Sequence, residues 1–211
     1  MTRRFFFVLL SLFLLTACQK QQDEQEILVL PEVVIAVAPF TQPETTSDLL
    51  SGFIPEDRKL VSQKTLSELD MLLRDKLHRD KHKYAFLKLS DITGNPAKDE
   101  RGRRNALAAW ANYAKKSGAD MILVPQLIYL QEREGSKAGV MKPAAVIEDF
   151  HLIDARNPVS LSARSHFAEE QKDLASDITK IGKFLERGAG WLSARDLAAE
   201  GMDKAVKELG L

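Results

Sequence analysis

Apolar residues in the first part of the chain form two short runs and one stripe with helical spacing. Residues 33–40 are apolar and rich in valine and isoleucine, as is typical of a strand buried on both faces. Over residues 62–77 leucines recur every three or four positions, which predicts an amphipathic helix capped by Ser67 or Thr65. Residues 83–89 alternate between apolar and polar side chains and predict a second strand.

The middle of the chain repeats this order of elements. Alanine and aromatic residues at helical spacing predict a helix over residues 105–116, and Gly118 stands where a helix commonly ends. Residues 119–130 are again largely apolar and predict a third, longer strand. The order strand, helix, strand, helix, strand is typical of parallel strands that are joined by right-handed crossovers.

The last part of the chain predicts a hairpin followed by two helices. Residues 144–155 and 160–167 predict two antiparallel strands joined by a short turn that contains proline. Amphipathic helices are predicted over residues 173–187 and 193–209. We therefore predict a single α/β domain over residues 31–211. We expect a three-layer-like domain built around a mixed sheet of about five strands. Its elements follow the order β-α-β-α-β-β-β-α-α.

The amino terminus carries a different pattern. Arg3 and Arg4 precede an apolar stretch over residues 5–17, which ends on Ala17 and Cys18. A basic start, an apolar core and a small residue before the cleavage site are the parts of an export signal. As a transmembrane helix these 13 residues would reach only about 20 Å, short of a hydrocarbon core of roughly 30 Å. The sequence Leu-Thr-Ala-Cys resembles the bacterial lipobox, which implies cleavage between Ala17 and Cys18 and acylation of Cys18.

The residues after the cysteine predict a membrane tether. Residues 19–26 are polar throughout and cannot bury a core. We thus divide the amino terminus into a signal peptide, residues 1–17, and a lipidated cysteine with a flexible tether, residues 18–30. Gln19 stands where aspartate retains lipoproteins at the inner membrane of enteric bacteria. By that analogy we expect the protein on the periplasmic face of the outer membrane, attached through the lipid on Cys18.

Charge and cysteine content exclude several classes of protein. The chain has 30 basic and 30 acidic residues, so it lacks the basic excess of nucleic-acid-binding proteins. This balance also argues against a polybasic surface that binds lipid. Cys18 is the only cysteine, so an intramolecular disulfide is impossible.

Metal sites and common catalytic motifs are not indicated by the sequence. His78 and His82 have helical spacing, but the glutamate of the His-Glu-x-x-His motif is missing between them. We interpret this segment as a solvated helix end and predict no metal site. No nucleophile elbow, phosphate-binding loop or dinucleotide fingerprint occurs in the sequence. We therefore expect neither a cofactor nor an enzymatic activity.

Two histidines fall on the strands of the predicted hairpin and form a candidate site. His151 and His166 are offset by about three residues relative to the turn, so we expect them not to face each other directly. Glu148, Asp149 and Asp154 share the first of these strands. The pattern indicates either a solvated sheet face with satisfied histidines or a polar site for a ligand or partner.

Two aromatic residues are candidate anchors for a protein partner. Trp191 lies between glycines and the start of the last helix, with Arg195 close by. Tryptophan and arginine often dominate interfaces, although the alternative is that Trp191 locks the last helix against the sheet. Phe53 lies in a long loop after the first strand, where the same two interpretations apply.

Two short segments carry a resemblance to a known family. They are residues 34–40, Val-Ile-Ala-Val-Ala-Pro-Phe, and residues 117–124, Ser-Gly-Ala-Asp-Met-Ile-Leu-Val. With the elements between them they resemble the TolB amino-terminal-like family of envelope proteins, which includes LpoB-, PelC- and CsgG-type lipoproteins. Residues 143–191 also resemble a set of uncharacterised bacterial lipoproteins. The resemblance implies the same α/β fold and a place in the cell envelope.

This resemblance leads to three hypotheses about function. Members of the family activate synthases, form rings or build secretion pores, which implies a non-catalytic accessory or binding protein in envelope assembly or export. The first alternative is a homo-oligomeric scaffold ring of a polysaccharide or protein export apparatus. The second is a ligand binder or enzyme that uses the polar sheet face. The turn over residues 132–143 is too short and polar for membrane-spanning hairpins, which argues against a channel.

Overall fold

The computed structural model describes residues 28, 30, 32–77, 81–92, 105–135, 140–157, 161–171 and 192–211. The strands are β1 (Val34–Val37), β2 (Lys83–Phe86), β3 (Met121–Gln131), β4 (Glu134–Gly135), β5 (Val140–Lys142), β6 (Ala145–Asp154) and β7 (Ala163–Glu170). The helices are α1 (Gln63–Lys76), α2 (Ala106–Lys116) and α3 (Ala194–Leu209). The helix predicted over residues 173–187 lies outside the described residues.

Five strands form one mixed sheet in the order β2-β1-β3-β6-β7. β1 runs parallel to β2 and to β3, with Ile35 opposite both Tyr84 and Met121. β6 is antiparallel to both of its neighbours, β3 and β7. The predicted α/β class and the mixed sheet are therefore confirmed. β4 and β5 pair separately as a two-stranded ribbon, where the sequence predicted only a polar turn.

Helices cover both faces of the sheet, which gives three layers. α1 and α3 pack on one face, where Ile35, Leu123 and Phe150 belong to the larger apolar cluster. α2 packs on the other face in a smaller cluster that includes Ala36 and Ala111. Strand side chains alternate between these two clusters because successive residues of a strand point to opposite faces.

Each helix begins after a residue whose side chain accepts a hydrogen bond from the first turn. These capping residues are Ser62 for α1, Asn105 for α2 and Ser193 for α3. The predicted caps of α1, Ser67 and Thr65, are wrong because both residues already lie inside the helix. Ser62 accepts from the backbone N–H of Thr65 at 3.1 Å, as is usual for a helix cap.

α3 approaches the sheet most closely at Gly201. A Cβ atom at this position would overlap Glu148 Oε1 and would lie only 2.7 Å from Phe167 Cδ1. Glu148 is fully buried in this interface, and neither carboxyl oxygen has a hydrogen-bond partner among the described residues. Burial raises the pKa of Glu148 well above its usual range, and Asp149 raises it further, whereas Lys76 lowers it. The interface therefore favours the neutral carboxyl group.

The amino-terminal end of the described chain packs on the domain. Leu28 and Leu30 contact the larger apolar cluster, and the carbonyl of Leu28 lies against Gly210 at the end of α3. Among the residues that the structure describes, no helix is both long and apolar enough to cross a membrane.

Candidate functional site

The loop that follows β1, residues 41–61, is fastened to the sheet by two buried polar side chains. Gln126 of β3 accepts a hydrogen bond from the backbone N–H of Leu50 at 3.1 Å and donates one to the carbonyl of Asp48 at 2.8 Å. Ser51 Oγ lies 3.1 Å from His151 Nε2 of β6. Gln126 and His151 are both almost completely buried. The loop is thus held at two successive points on the face of the sheet.

Beneath this loop, Asp149 joins two side chains of the edge strand β7. Its Oδ1 accepts hydrogen bonds from Arg164 Nε and Nη2 at 3.0 and 2.8 Å and from His166 Nδ1 at 2.8 Å. Asp149 is buried, whereas 35% of the Arg164 side chain and 47% of the His166 side chain are exposed. A buried carboxylate therefore fixes two nitrogen-rich side chains at the surface by charge-assisted bonds.

We call this arrangement the loop-sheet site. Its members are Ser51, Phe53, Asp149, His151, Arg164 and His166. His166 stands opposite Asp149 in the strand pairing, and His151 stands opposite Arg164. The prediction that the two histidines do not face each other is confirmed, with an offset of two residues rather than three. They are diagonal neighbours on one sheet face.

The three acids that the sequence places on the first hairpin strand do not share one face, since only one of them belongs to the site. Glu148 points to the opposite face, into the interface with α3. Asp154 pairs with Arg156 near the hairpin turn, where Arg156 holds the pKa of Asp154 below its usual range. Asp149 alone lies next to the histidines. Adjacent strand residues point to opposite faces, which separates Glu148 from Asp149.

His151 is a buried neutral histidine. It has no exposed surface, so the solvated face that the sequence indicated is wrong for this residue. Burial lowers the pKa of His151 from 6.5 to about 4 and outweighs the opposing effect of Asp149. Nδ1 is buried and has no hydrogen-bond partner among the described residues. We therefore assign the ring no orienting group among these residues; its Nε2 either donates a hydrogen bond to Ser51 Oγ or accepts one from it, depending on the tautomer.

This assignment decides what the Ser51 and His151 pair can do chemically. A serine nucleophile must give its proton to a histidine nitrogen, and a third group must hold the other ring nitrogen in its protonated form. Asp149, the nearest carboxylate in the strand, bonds to Arg164 and His166 instead. The pair therefore positions the loop and is poorly arranged to activate Ser51.

Phe53 extends from the fastened part of the loop and is 73% exposed. It follows Gly52, whose backbone has a φ of +83°, a conformation that residues with a side chain rarely adopt. A Cβ on Gly52 would lie 3.8 Å from both Arg164 Nη2 and Asp149 Oδ2, so the loop passes directly over the Asp149 cluster. Phe53, His151 and His166 thus come together in one region, as three of the candidate residues.

The other candidate residues lie elsewhere or outside the described chain. Arg195 is exposed in the first turn of α3, on the opposite side of the sheet from the loop-sheet site. Trp191, Ala17 and Cys18 lie outside the described residues, so their predicted roles stay predictions. The structure therefore separates Arg195 from Phe53.

His82 is not part of a helical histidine pair. α1 ends at Lys76, and His82 immediately precedes β2, while His78 lies outside the described residues. His82 Nε2 is 2.9 Å from the carbonyl oxygen of Gly210. The interpretation of this segment as a solvated helix end is wrong for His82, which ties β2 to the end of α3. Within the described ranges no three His, Cys, Asp or Glu residues are grouped to hold a metal ion.

A cavity of about 370 Å³ lies beside the loop, at the carboxyl ends of β1 and β2. Its walls include Thr41 and Asp48 of the loop, Trp110 and Tyr113 of α2, and Gln126 of β3. The two aromatic rings stack edge to face at 5.7 Å. Gln126 borders the cavity and also holds the loop, so the cavity and the loop-sheet site share one structural support.

Sequence reasoning missed Ser51, Gln126 and Arg164 as members of this region. Ser51 lies 100 residues from His151, and no local pattern links the two. Arg164 gave a usable signal, because a basic residue two positions before His166 occupies the same face of a strand. Gln126 also gave a usable signal, because it is a polar residue inside an otherwise apolar strand.

Comparison with known proteins gives matches to solved structures. No family model and no curated protein sequence matches this chain. PelC from Paraburkholderia phytofirmans, solved as a dodecamer, is 11% identical with a TM-score of 0.47, over 84% of this chain and 87% of that chain. The hypothetical protein CT253 from Chlamydia trachomatis is 15% identical with a TM-score of 0.43, over 85% and 98%. The LpoB C-terminal domain from Salmonella enterica is 12% identical with a TM-score of 0.35, over 68% and 86%. Likenesses at these levels carry no argument about function.

Proposed function

We propose that this chain is a lipoprotein on the periplasmic face of the outer membrane, where it acts as a non-catalytic accessory protein in envelope assembly or export. The lipid is attached to Cys18 after cleavage at Ala17. The domain works by binding an envelope protein through the loop-sheet site. The observation that carries this proposal is Phe53, a large aromatic side chain that is 73% exposed at a fixed position.

An exposed aromatic side chain is most useful to a partner when its position costs little entropy on binding. Ser51 and Gly52 are held against the sheet immediately before Phe53, and Gln126 holds Leu50. The loop therefore presents Phe53 with most of its backbone freedom already lost. Arg164 and His166 add exposed hydrogen-bond donors beneath it. Aromatic and arginine side chains are the residue types that most often dominate binding energy.

The chemistry of the polar pair supports binding rather than catalysis. Burial lowers the pKa of His151 to about 4, and among the described residues no group holds its Nδ1, which makes this histidine a poor base for Ser51. The Asp149 carboxylate is buried, and its Oδ1 already bonds to both Arg164 and His166. These groups hold the loop in place, and the side chains of Arg164 and His166 remain partly exposed to solvent.

Replacing Phe53 with alanine is expected to reduce partner binding at least about ten-fold while changing the free energy of unfolding by less than about 0.5 kcal/mol. A photo-crosslinking amino acid at position 53 of the full chain in cells is expected to capture one envelope protein. The matched control is Met141, which is 84% exposed on the β4-β5 ribbon and should give no specific product. Equal products from both positions would contradict the proposal, and a crosslink to a second copy would favour the scaffold alternative.

Replacing Cys18 with serine is expected to abolish lipid attachment, because the thiol is the acceptor of the diacylglyceryl group. Metabolic labelling with a palmitate analogue should mark the original chain and not the C18S variant. The variant should also leave the outer-membrane fraction. Retention of label in C18S, or fractionation of the original chain with the inner membrane, would contradict the proposed anchoring or location respectively.

A further inference from the structure

One end of the domain collects the carboxyl ends of the three helices that the structure describes. α1, α2 and α3 finish at Lys76, Lys116 and Leu209. β1, β2 and β3 begin at this same end, since α1 and α2 lead directly into β2 and β3, and Gly210 after α3 contacts His82 before β2. We call this end the base of the domain. The loop over residues 41–61 begins at the other end of β1.

Exposed lysines concentrate at the base. Lys81 precedes β2, Lys115 and Lys116 end α2, and Lys207 lies in the last turn of α3. All four are exposed, and none forms an ion pair with a carboxylate of the described residues. Lys116 additionally lies 5.9 Å from the centre of the Tyr113 ring. The base therefore presents at least four positive charges to solvent.

The acidic residues at the base are mostly engaged by other groups. Glu32 pairs with Lys83, Asp154 with Arg156, Asp203 with Lys76 and Glu208 with Lys204, and Asp120 accepts from the backbone of Val34. Among the described residues, Asp75 and Asp120 are the base carboxylates that no basic side chain pairs with, so the four lysines outnumber them by two. The loop over residues 41–61 has the opposite balance, with four acids against Arg58 and Lys59.

The tether leaves the domain at this same base. Leu28 packs against the end of α3, and Cys18 lies ten positions before it. Ten residues reach at most about 35 Å when extended and roughly 18 Å as a flexible coil. A lipid on Cys18 therefore keeps the base within a short distance of the headgroups.

We propose that the base is a contact surface for anionic lipid headgroups, which orients the anchored domain on its membrane. This inference rests on the proposed lipid anchor, which supplies proximity, while the lysines supply orientation. Lysine side chains are attracted to an anionic membrane surface, and the attraction acts over about one Debye length, roughly 10 Å at moderate salt. The overall balance of charges argued against such a surface, but the topology gathers lysines from three distant segments.

This orientation leaves the loop-sheet site clear of the membrane. In the strand register the site lies opposite Val124 and Gln126, three to five residues along β3 from Met121 at the base. At about 3.3 Å per residue this corresponds to about 10–17 Å above the base. Phe53 is then accessible from the side to another envelope protein.

Lysine acetylation on vesicles tests the inference directly. The mature chain is coupled through Cys18, its only cysteine, to a maleimide lipid in vesicles of phosphatidylcholine or of equimolar phosphatidylcholine and phosphatidylglycerol. Mass spectrometry then measures the acetylation rate of each lysine. We expect rates at Lys81, Lys115, Lys116 and Lys207 to fall at least about three-fold on the anionic vesicles and to recover near 1 M salt. Lys59, Lys64 and Lys88, which are exposed elsewhere, should not change. Equal rates on both vesicles, or equal protection of both lysine sets, would overturn the inference.

Matched variants separate a local surface from net charge. In the mature chain with Cys18→Ser, we expect Lys115→Gln, Lys116→Gln and Lys207→Gln together to weaken sedimentation with anionic vesicles about ten-fold or more. A control variant removes the same charge elsewhere, with Lys59→Gln, Lys64→Gln and Lys88→Gln. Its sedimentation with anionic vesicles should stay within about two-fold of the original, and equal losses for both variants would overturn the inference. The proposed anchor is tested independently by lipid labelling of Cys18, so failure of either proposal is distinguishable from failure of the other.

Discussion

Replacing Gly201 with alanine is expected to lower the free energy of unfolding by about 2 kcal/mol. Alanine in a helix interior normally gains about 1 kcal/mol over glycine, so the expected sign is the reverse of the usual one. The added methyl group would overlap Glu148 Oε1 and press on the ring of Phe167, both packed between α3 and the sheet. Overpacking of this kind costs about 1–3 kcal/mol and occasionally more. Chemical denaturation of the mature domain measures the change directly, and thermal unfolding should show a Tm that is lower by about 4–8 °C.

Gly118 offers a matched control for this substitution. Its φ of +74° strains any side chain, but no atom lies within 4 Å of an added Cβ. Gly118→Ala should therefore cost only the backbone strain, about 1 kcal/mol. A double variant, Gly201→Ala with Glu148→Ala, should lose less than the sum of its single effects because one overlap is removed. A neutral or stabilising Gly201→Ala would refute the close approach of α3.

Replacing Glu148 with glutamine is expected to raise the free energy of unfolding at pH 8 by about 2 kcal/mol. The carboxyl group is fully buried, and its raised pKa means that at pH 8 the unfolded chain ionises it freely while the folded chain does not. Each unit by which the folded pKa exceeds the unfolded pKa corresponds to about 1.4 kcal/mol of lost stability. Glutamine keeps the shape but removes the ionisation. The substitution also avoids any new overlap with Gly201, because the side chain is no larger.

The same variant is expected to flatten the pH dependence of stability. The pKa of Glu148 is raised in the folded state, so above the ordinary pKa the unfolded chain releases this proton while the folded chain keeps it. Unfolding is then increasingly favoured as the pH rises, until the folded pKa is passed. Urea unfolding at pH 4 should give nearly equal values for both proteins, with a growing gap toward pH 8. Glu170→Gln, an exposed control on β7, should follow the original curve, and parallel curves for Glu148→Gln would contradict the prediction.

Local patterns predicted the fold because each element buries a regular set of residues. The apolar runs of β1 and β3 and the leucine stripe of α1 satisfy local geometry and burial at once. β7 begins about three residues later than predicted. Its sequence, Ala-Arg-Ser-His-Phe-Ala-Glu-Glu, alternates only weakly between apolar and polar residues, because the strand lies at an edge of the sheet. The paired ribbon of β4 and β5 was missed because strands of two and three residues carry no periodic signal.

The candidate site was predictable only where its members share a hairpin. The turn between β6 and β7 fixes the relation of His151 to His166, so counting from it gave the offset to within one residue. Ser51 and Gln126 reach the site from distant segments, and their positions depend on tertiary packing. Counting also failed to distinguish the faces of Glu148 and Asp149, because β6 is buried on both sides and its polar residues do not alternate with apolar ones.

The common direction of the three helices has an electrical consequence for the base. Each helix contributes a macrodipole equivalent to about half a negative charge at its carboxyl terminus, so three parallel helices place roughly −1.5 charges there. The four exposed lysines oppose this field, which stabilises the helix ends. Lysine at the end of a helix is therefore favoured by the fold itself. The same lysines provide the positive charge that faces outward from the base.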